Sequence, residues 1–143
     1  FPLPTGYANL GDCFAFLAGF CLGGWGIAAA GIGIALADML SSYVIYAPAT
    51  LIIKAFIALC GLVAARWIQK GKFRLVTIAS LSLLGEAMMV LGYFFFESVF
   101  LGVGAAAVAS VAGNLTQAVV GIATSTALAM IFTKNKKLNE LMK

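Results

Sequence analysis

Histidine does not occur in this sequence, and charge of either sign is scarce. Of 143 residues, nine are Lys or Arg and five are Asp or Glu, 10% in all, against about 25% in an ordinary soluble domain. Without histidine the commonest general base and the commonest metal ligand are both gone. Cysteine is confined to Cys13, Cys21 and Cys60, an odd number inside apolar runs with no CxxC spacing. They read as free, buried thiols serving as small apolar residues, not as disulfide or metal partners. No Lys is followed by Ser or Thr, so there is no Walker A sequence to hold ATP.

What is there instead is apolar surface. Residues of the AVILMFWYC set make up 63% of the chain, and the mean hydropathy is +1.07. Too little polar surface remains to cover a water-soluble globule. A soluble enzyme, a nucleic-acid-binding module and a disordered tail are excluded, and the chain reads as an all-α integral membrane protein.

Charges and helix breakers divide it into four apolar blocks. Residues 13–37 are uncharged and interrupted by Gly23-Gly24-Trp25; 47–65 contain one charge, Lys54; 75–96 contain only Glu86; 98–133 are uncharged and interrupted by Gly113-Asn114. A membrane-spanning helix needs about 20 residues for a hydrocarbon core of about 30 Å, so the second and third blocks each cross once. The fourth is expected to hold a full helix from about Asn114 to Phe132, preceded by a short or re-entrant helix. The first is either one tilted helix or a hairpin of two shorter ones, and paired glycines beside an interfacial Trp favour the hairpin. The expectation is a single membrane domain, 1–143, with about five transmembrane helices plus a short helix in the 98–113 region.

The basic residues form two clusters, Arg66, Lys70, Lys72 and Arg74, then Lys134, Lys136, Lys137 and Lys143. Both are expected in the cytoplasm, with an even number of crossings between them. The segments 41–48 and 97–113 then face outside, and with a hairpin in the first block so does 1–12. The opening Phe-Pro-Leu-Pro-Thr-Gly-Tyr lacks the features of a signal peptide and looks like the exit from an upstream helix.

Four of the five acids, Asp12, Asp38, Glu86 and Glu97, lie in or at the edge of apolar blocks, and Lys54 is the one basic residue away from the two clusters. Charges at such depths cost about 2.5–3.5 kcal/mol on insertion scales and mark paired or functional positions. Asp38 and Lys54 have matching depths, which suits an ion pair or a direct ligand role equally. Ser82, Glu86, Met89, Tyr93 and Glu97 recur at helical spacing on one face, and Asn114, Gln117, Gly121 and Thr124 on another. Such stripes serve either as interhelical glue or as the lining of a polar pocket. The candidate substrate-binding residues are Asp38, Tyr43, Lys54, Glu86, Tyr93, Asn114 and Gln117. No metal site, cofactor or catalytic constellation is expected. Gly102-Val-Gly-Ala-Ala-Ala107 matches a dinucleotide fingerprint only superficially, because no strand precedes it.

Several segments in order carry a family likeness: Thr5-Gly-Tyr-Ala-Asn-Leu-Gly-Asp12, Ala37-Asp38, Tyr46-Ala-Pro-Ala-Thr-Leu-Ile-Ile-Lys54, Gly85-Glu86, Gly92-Tyr-Phe-Phe-Phe-Glu97 and Gly113-Asn-Leu-Thr-Gln117. From Thr5 to the last helix the chain resembles the substrate-specific S component of energy-coupling factor (ECF) vitamin transporters, in the riboflavin-type branch that includes pyridoxine and hydroxymethylpyrimidine carriers. The resemblance implies a six-helix bundle of which the first helix is missing from this sequence. It implies a small vitamin bound near the outer surface, and a multi-pass location in a bacterial plasma membrane. It also implies a transmembrane coupling protein and two cytoplasmic ATPases as partners, with no enzyme activity in this chain. Small residues such as Gly31 and Ala35 suit close helix contact. The competing reading is a self-contained, proton-coupled secondary transporter or exporter using Glu86. An intramembrane enzyme is disfavoured by the lack of His and of clustered Asp.

Overall fold

The computed structural model describes residues 2–3, 6–7, 10–41, 43–71 and 73–134. Five helices follow one another: α1 (Gly11–Leu22), α2 (Gly24–Leu40), α3 (Ala47–Gln69), α4 (Arg74–Phe95) and α5 (Ala105–Lys134). A two-residue antiparallel pairing of β1 (Pro2–Leu3) with β2 (Gly6–Tyr7) precedes them and leaves the all-α class intact. Thr5, Asn9, Lys72, Lys136, Lys137 and Lys143, used in the sequence reading, lie outside the described residues.

A short 3-10 turn, Val44–Tyr46, leads into α3. Pro48 occupies the first turn of that helix, where its missing N–H has no helical partner to lose. With their flanking turns, α3, α4 and α5 are each long and apolar enough to cross a membrane. Helices α1 and α2 are shorter, at 12 and 17 residues, which is about 18 and 26 Å of rise.

The first apolar block therefore divides, and it does so at Gly23. That residue has φ 64° and ψ −135°, a conformation that glycine alone adopts at little cost. Three residues on, Gly26 lies so close to Ala18 that a Cβ would overlap its carbonyl, so α2 folds back along α1.

Helix α3 is the central element and packs against α1, α2 and α4. Glycine sets each approach. A Cβ on Gly19 would overlap the Ala58 carbonyl, one on Gly61 would overlap that of Phe16, and one on Gly31 would come within 2.9 Å of the Leu51 carbonyl. Lipid tails are as apolar as leucine, so association here comes from close backbone packing. Gly31 and Ala35 are both buried, and Gly31 contacts α3 of the same chain. Around this interior runs an apolar shell in which residues such as Leu40 (88% exposed) and Trp25 (85%) point outward, as a lipid-facing surface requires.

Helices α4 and α5 run antiparallel in an even register. Ser110 bonds Glu97, Gly121 abuts Glu86, and Arg74 Nη1 donates to the Thr133 carbonyl at 3.4 Å. Each step from contact to contact is equally long on both helices.

The break expected at Gly113-Asn114 is absent, as is a separate short helix over 98–113. Helix α4 continues instead into one π turn, Phe96–Phe100. The chain reverses at Gly102 and Gly104, with φ 61° and 53°, and α5 runs unbroken for 30 residues. An interior glycine costs only about 1 kcal/mol, and Ala105, Ala106, Ala107, Ala109 and Ala112 supply ample helix propensity around it.

Candidate functional site

Polar side chains from all five helices meet at one end of the bundle, and α3 organises them. Tyr46, at its N-cap, and Thr50 and Lys54 within it stand four residues apart and so point the same way at successive depths.

Outermost, Tyr46 OH donates to Glu97 Oε1 at 3.2 Å, and Ser110 Oγ donates to Glu97 Oε2. The Tyr46 ring meets those of Tyr43 and Tyr93 at 6.3 Å each and that of Phe96 at 5.9 Å. One turn deeper, Thr50 Oγ1 donates to Asp38 Oδ2 and lies 2.9 Å from Tyr93 OH. One turn deeper again, Lys54 Nζ donates to Asp12 Oδ1, and Gln117 Nε2 donates to Asp12 Oδ2. The ammonium also lies 5.8 Å from the centre of the Tyr93 ring, within cation–π range.

Asp12 and Lys54 are 0% and 1% exposed, so each charge depends on the other, with Gln117 and the Tyr93 face completing the set. A carboxylate held by an ammonium and an amide keeps both oxygens satisfied, which a buried charge needs. The ion pair considered between Lys54 and Asp38 does not form. Lys54 pairs with Asp12, while Asp38, half-buried at the end of α2, takes its hydrogen bond from Thr50.

Of the other residues singled out from sequence, Tyr43 is 52% exposed and reaches the cluster through its contact with Tyr46. Asn114 is half-buried one turn above Gln117, level with Tyr93 in the α4–α5 register. Glu86 is buried below, beside Gly121. The face of α4 carrying Ser82, Glu86, Met89, Tyr93 and Glu97 turns inward as its spacing implies; all but the half-buried Tyr93 are buried.

The stripe on α5 needs correction. Its buried line runs Gly113, Gln117, Gly121, Ser125, Ala129 and Thr133, four residues per step. Ser125 thus lies on it, whereas Thr124 bonds back to its own helix at the Val120 carbonyl, 2.7 Å away. Asp12, Tyr46, Thr50, Glu97 and Ser110 also join the cluster, though the candidate set does not name them. Asp12 and Glu97 already stand out in the sequence as acids at the edges of apolar blocks, and Tyr46 and Thr50 are marked by their spacing from Lys54.

The opposite end is basic. Arg66, Lys70, Arg74 and Lys134 lie at the far ends of α3, α4 and α5, so charge and polar chemistry are segregated along the bundle. The three cysteines are free.

A family model described as "ECF-type riboflavin transporter, S component" matches residues 1–134 of this chain. A protein of Pyrococcus woesei, described as "Uncharacterized protein in gap 3'region", is similar to it at 36% identity over 137 residues, which cover 93% of this chain and 86% of that protein. No solved structure matches.

Proposed function

We propose, from the premise that this chain belongs to the family of S components of ECF-type riboflavin transporters, that its polar end captures riboflavin or a related flat heteroaromatic vitamin at the outer face of the plasma membrane. The family is one of transporter components, so the protein is a substrate-binding, multi-pass membrane subunit and not an enzyme. The family likeness implies that import is completed with a transmembrane coupling protein and two cytoplasmic ATPases, and this sequence carries no Walker A of its own to hold nucleotide.

The observation that carries the reading is the meeting of Asp12, Asp38, Lys54, Tyr93 and Gln117, one or more from each helix, at the end opposite the basic residues. The positive-inside rule puts the basic end in the cytoplasm and the polar end outside. A heteroaromatic vitamin needs donors, acceptors and an aromatic surface together. Lys54, Gln117 and Asn114 supply donors, Asp38 an acceptor, and Tyr93 and Tyr43 ring faces, with Glu86 beneath. Binding exchanges bonds such as Thr50 to Asp38 for bonds to the vitamin.

The test is titration of the purified full-length protein in detergent with riboflavin, pyridoxine and hydroxymethylpyrimidine, read by flavin or tryptophan fluorescence and calorimetry. Saturable binding of one of them, with no proton gradient present, is expected. Asn114→Ala, which removes a side chain outside the internal hydrogen-bond network, should weaken it about 5- to 150-fold, the equivalent of one unmatched buried polar group at about 1–3 kcal/mol. Absence of saturable binding for all three overturns the assignment.

A further inference from the structure

Below the Asp12–Lys54 pair lies a second polar layer, of which only Glu86 belongs to the candidate vitamin-binding set. Glu86 is 2% exposed, Ser82 2% and Ser125 0%, and Glu86 Oε2, Ser82 Oγ and Ser125 Oγ all lack a hydrogen-bond partner among the described residues. Ser82 precedes Glu86 by one turn on the inward face of α4. The even α4–α5 register sets Ser82 level with Ser125, just as it sets Glu86 against Gly121. The absence of a Cβ at Gly121 is what admits the carboxylate, since one there would overlap Glu86 Oε1.

Buried polar atoms are almost always satisfied, and here three oxygens on facing positions are not. Their charge is also unbalanced. Lys54 is already matched by Asp12, so an ionised Glu86 has no buried cation of its own to balance it. Among the described residues Lys54 is the sole buried cation. The ligands on offer are a carboxylate and two hydroxyls, hard oxygens that suit a hard cation, with the buried Cys13 thiol as a neighbour of Ser125 and Glu86. One negative charge matches one positive charge.

We propose that Glu86, Ser82 and Ser125 hold a single monovalent metal cation between α4 and α5, beneath the vitamin site. The ion joins the two helices at mid-bundle, where no side-chain bond between described residues otherwise links them, and its binding stabilises the fold.

The experiment measures thermal unfolding of the full-length protein in detergent, without vitamin, at fixed pH and ionic strength, in chloride salts of sodium, potassium or choline. Sodium, potassium or both should raise the midpoint saturably above choline, by about 9 °C at a hundredfold excess over the dissociation constant. The two metal salts distinguish which ion fits. Glu86→Gln should abolish the salt response, and Ser125→Ala should shift it to higher concentration at least several-fold. Should Glu86→Gln fail to fold, the wild-type and Ser125→Ala titrations still decide. Equal midpoints in all three salts overturn the site, and so does a metal response unchanged in the variants. With the series repeated at a lower fixed pH, a midpoint that rises on acidification with no metal response at either pH assigns the charge balance to a proton and also overturns it. Because the readout needs no vitamin, the result stands independently of the transport assignment.

Discussion

Lys54 and Asp12 are the residues whose removal has the most legible consequence. Both are buried and each is the other's counter-charge. Truncating one member of such a pair leaves a bare charge in a low-dielectric interior, at a cost of about 3–5 kcal/mol. Lys54→Met is therefore expected to lower yield and thermal midpoint sharply. Lys54→Met combined with Asp12→Asn should recover most of the loss, whereas Lys54→Met with Asp38→Asn should not. Rescue by the Asp38 variant would mean that the pairing is wrong. Gln117 is a lesser case: Gln117→Ala deprives Asp12 Oδ2 of its donor and should lower stability by about 1–3 kcal/mol, measured by thermal or denaturant unfolding. Asn114→Ala, with no such bond to lose, should leave the midpoint nearly unchanged.

Helix against helix, the decisive contacts are those where backbone meets backbone. Gly19→Ala and Gly61→Ala each place a methyl group onto a carbonyl of the facing helix, and a carbonyl held in a helix cannot rotate aside. Each should destabilise by at least about 1–3 kcal/mol, the usual cost of overpacking, by separating α1 from α3. Gly33→Ala makes the comparison, because nothing lies within 4 Å of a Cβ at that position. There the added methyl only raises helix propensity, and a gain of about 0.4–1 kcal/mol is expected. Equal effects at Gly19 and Gly33 would deny the close α1–α3 packing. Gly23→Ala tests the hairpin in the same assay: at φ 64° and ψ −135° an L side chain is strained by about 1–3 kcal/mol.

Across the whole molecule, the separation of a polar end from a basic end predicts how the bundle lies in a membrane. Single cysteines at Lys70 and Lys134 should label from the cytoplasmic side, and at Tyr43 and Ser98 from the outside, in a background lacking Cys13, Cys21 and Cys60. Lys70 and Lys134 responding from opposite sides would refute both the orientation and the antiparallel pairing of α4 with α5. The same segregation explains why the site is built from all five helices. With lipid on every flank, buried polar side chains find partners only among one another.

The sequence by itself determined the class of the molecule, because the cost of placing a residue in lipid is summed along the chain and needs no knowledge of neighbours. Apolar length separated α3 from α4, and helical spacing identified the inward face from Ser82 to Glu97, since periodicity is a local property. Family likeness was also carried by short ordered segments around Asp12, Asp38, Lys54, Glu86 and Gln117. What only the tertiary structure decided was partnership. Lys54 had Asp12, Asp38 and Glu86 within plausible reach, and its choice of Asp12, 42 positions away, depends on how α1 is rotated against α3. That rotation is set by Gly19 and Gly61, which follow Asp12 and Lys54 by seven residues on the same helix faces, a spacing that becomes a pairing only once α1 and α3 are known to meet. The same holds for α5. Whether Thr124 or Ser125 faces inward turns on a helix rotation of about 100°, and it is decided by which face of α5 packs inward, the line Gly113, Gln117, Gly121 and Ser125. Close packing is a property of pairs of surfaces, and a single strand of residues does not specify which surfaces will meet.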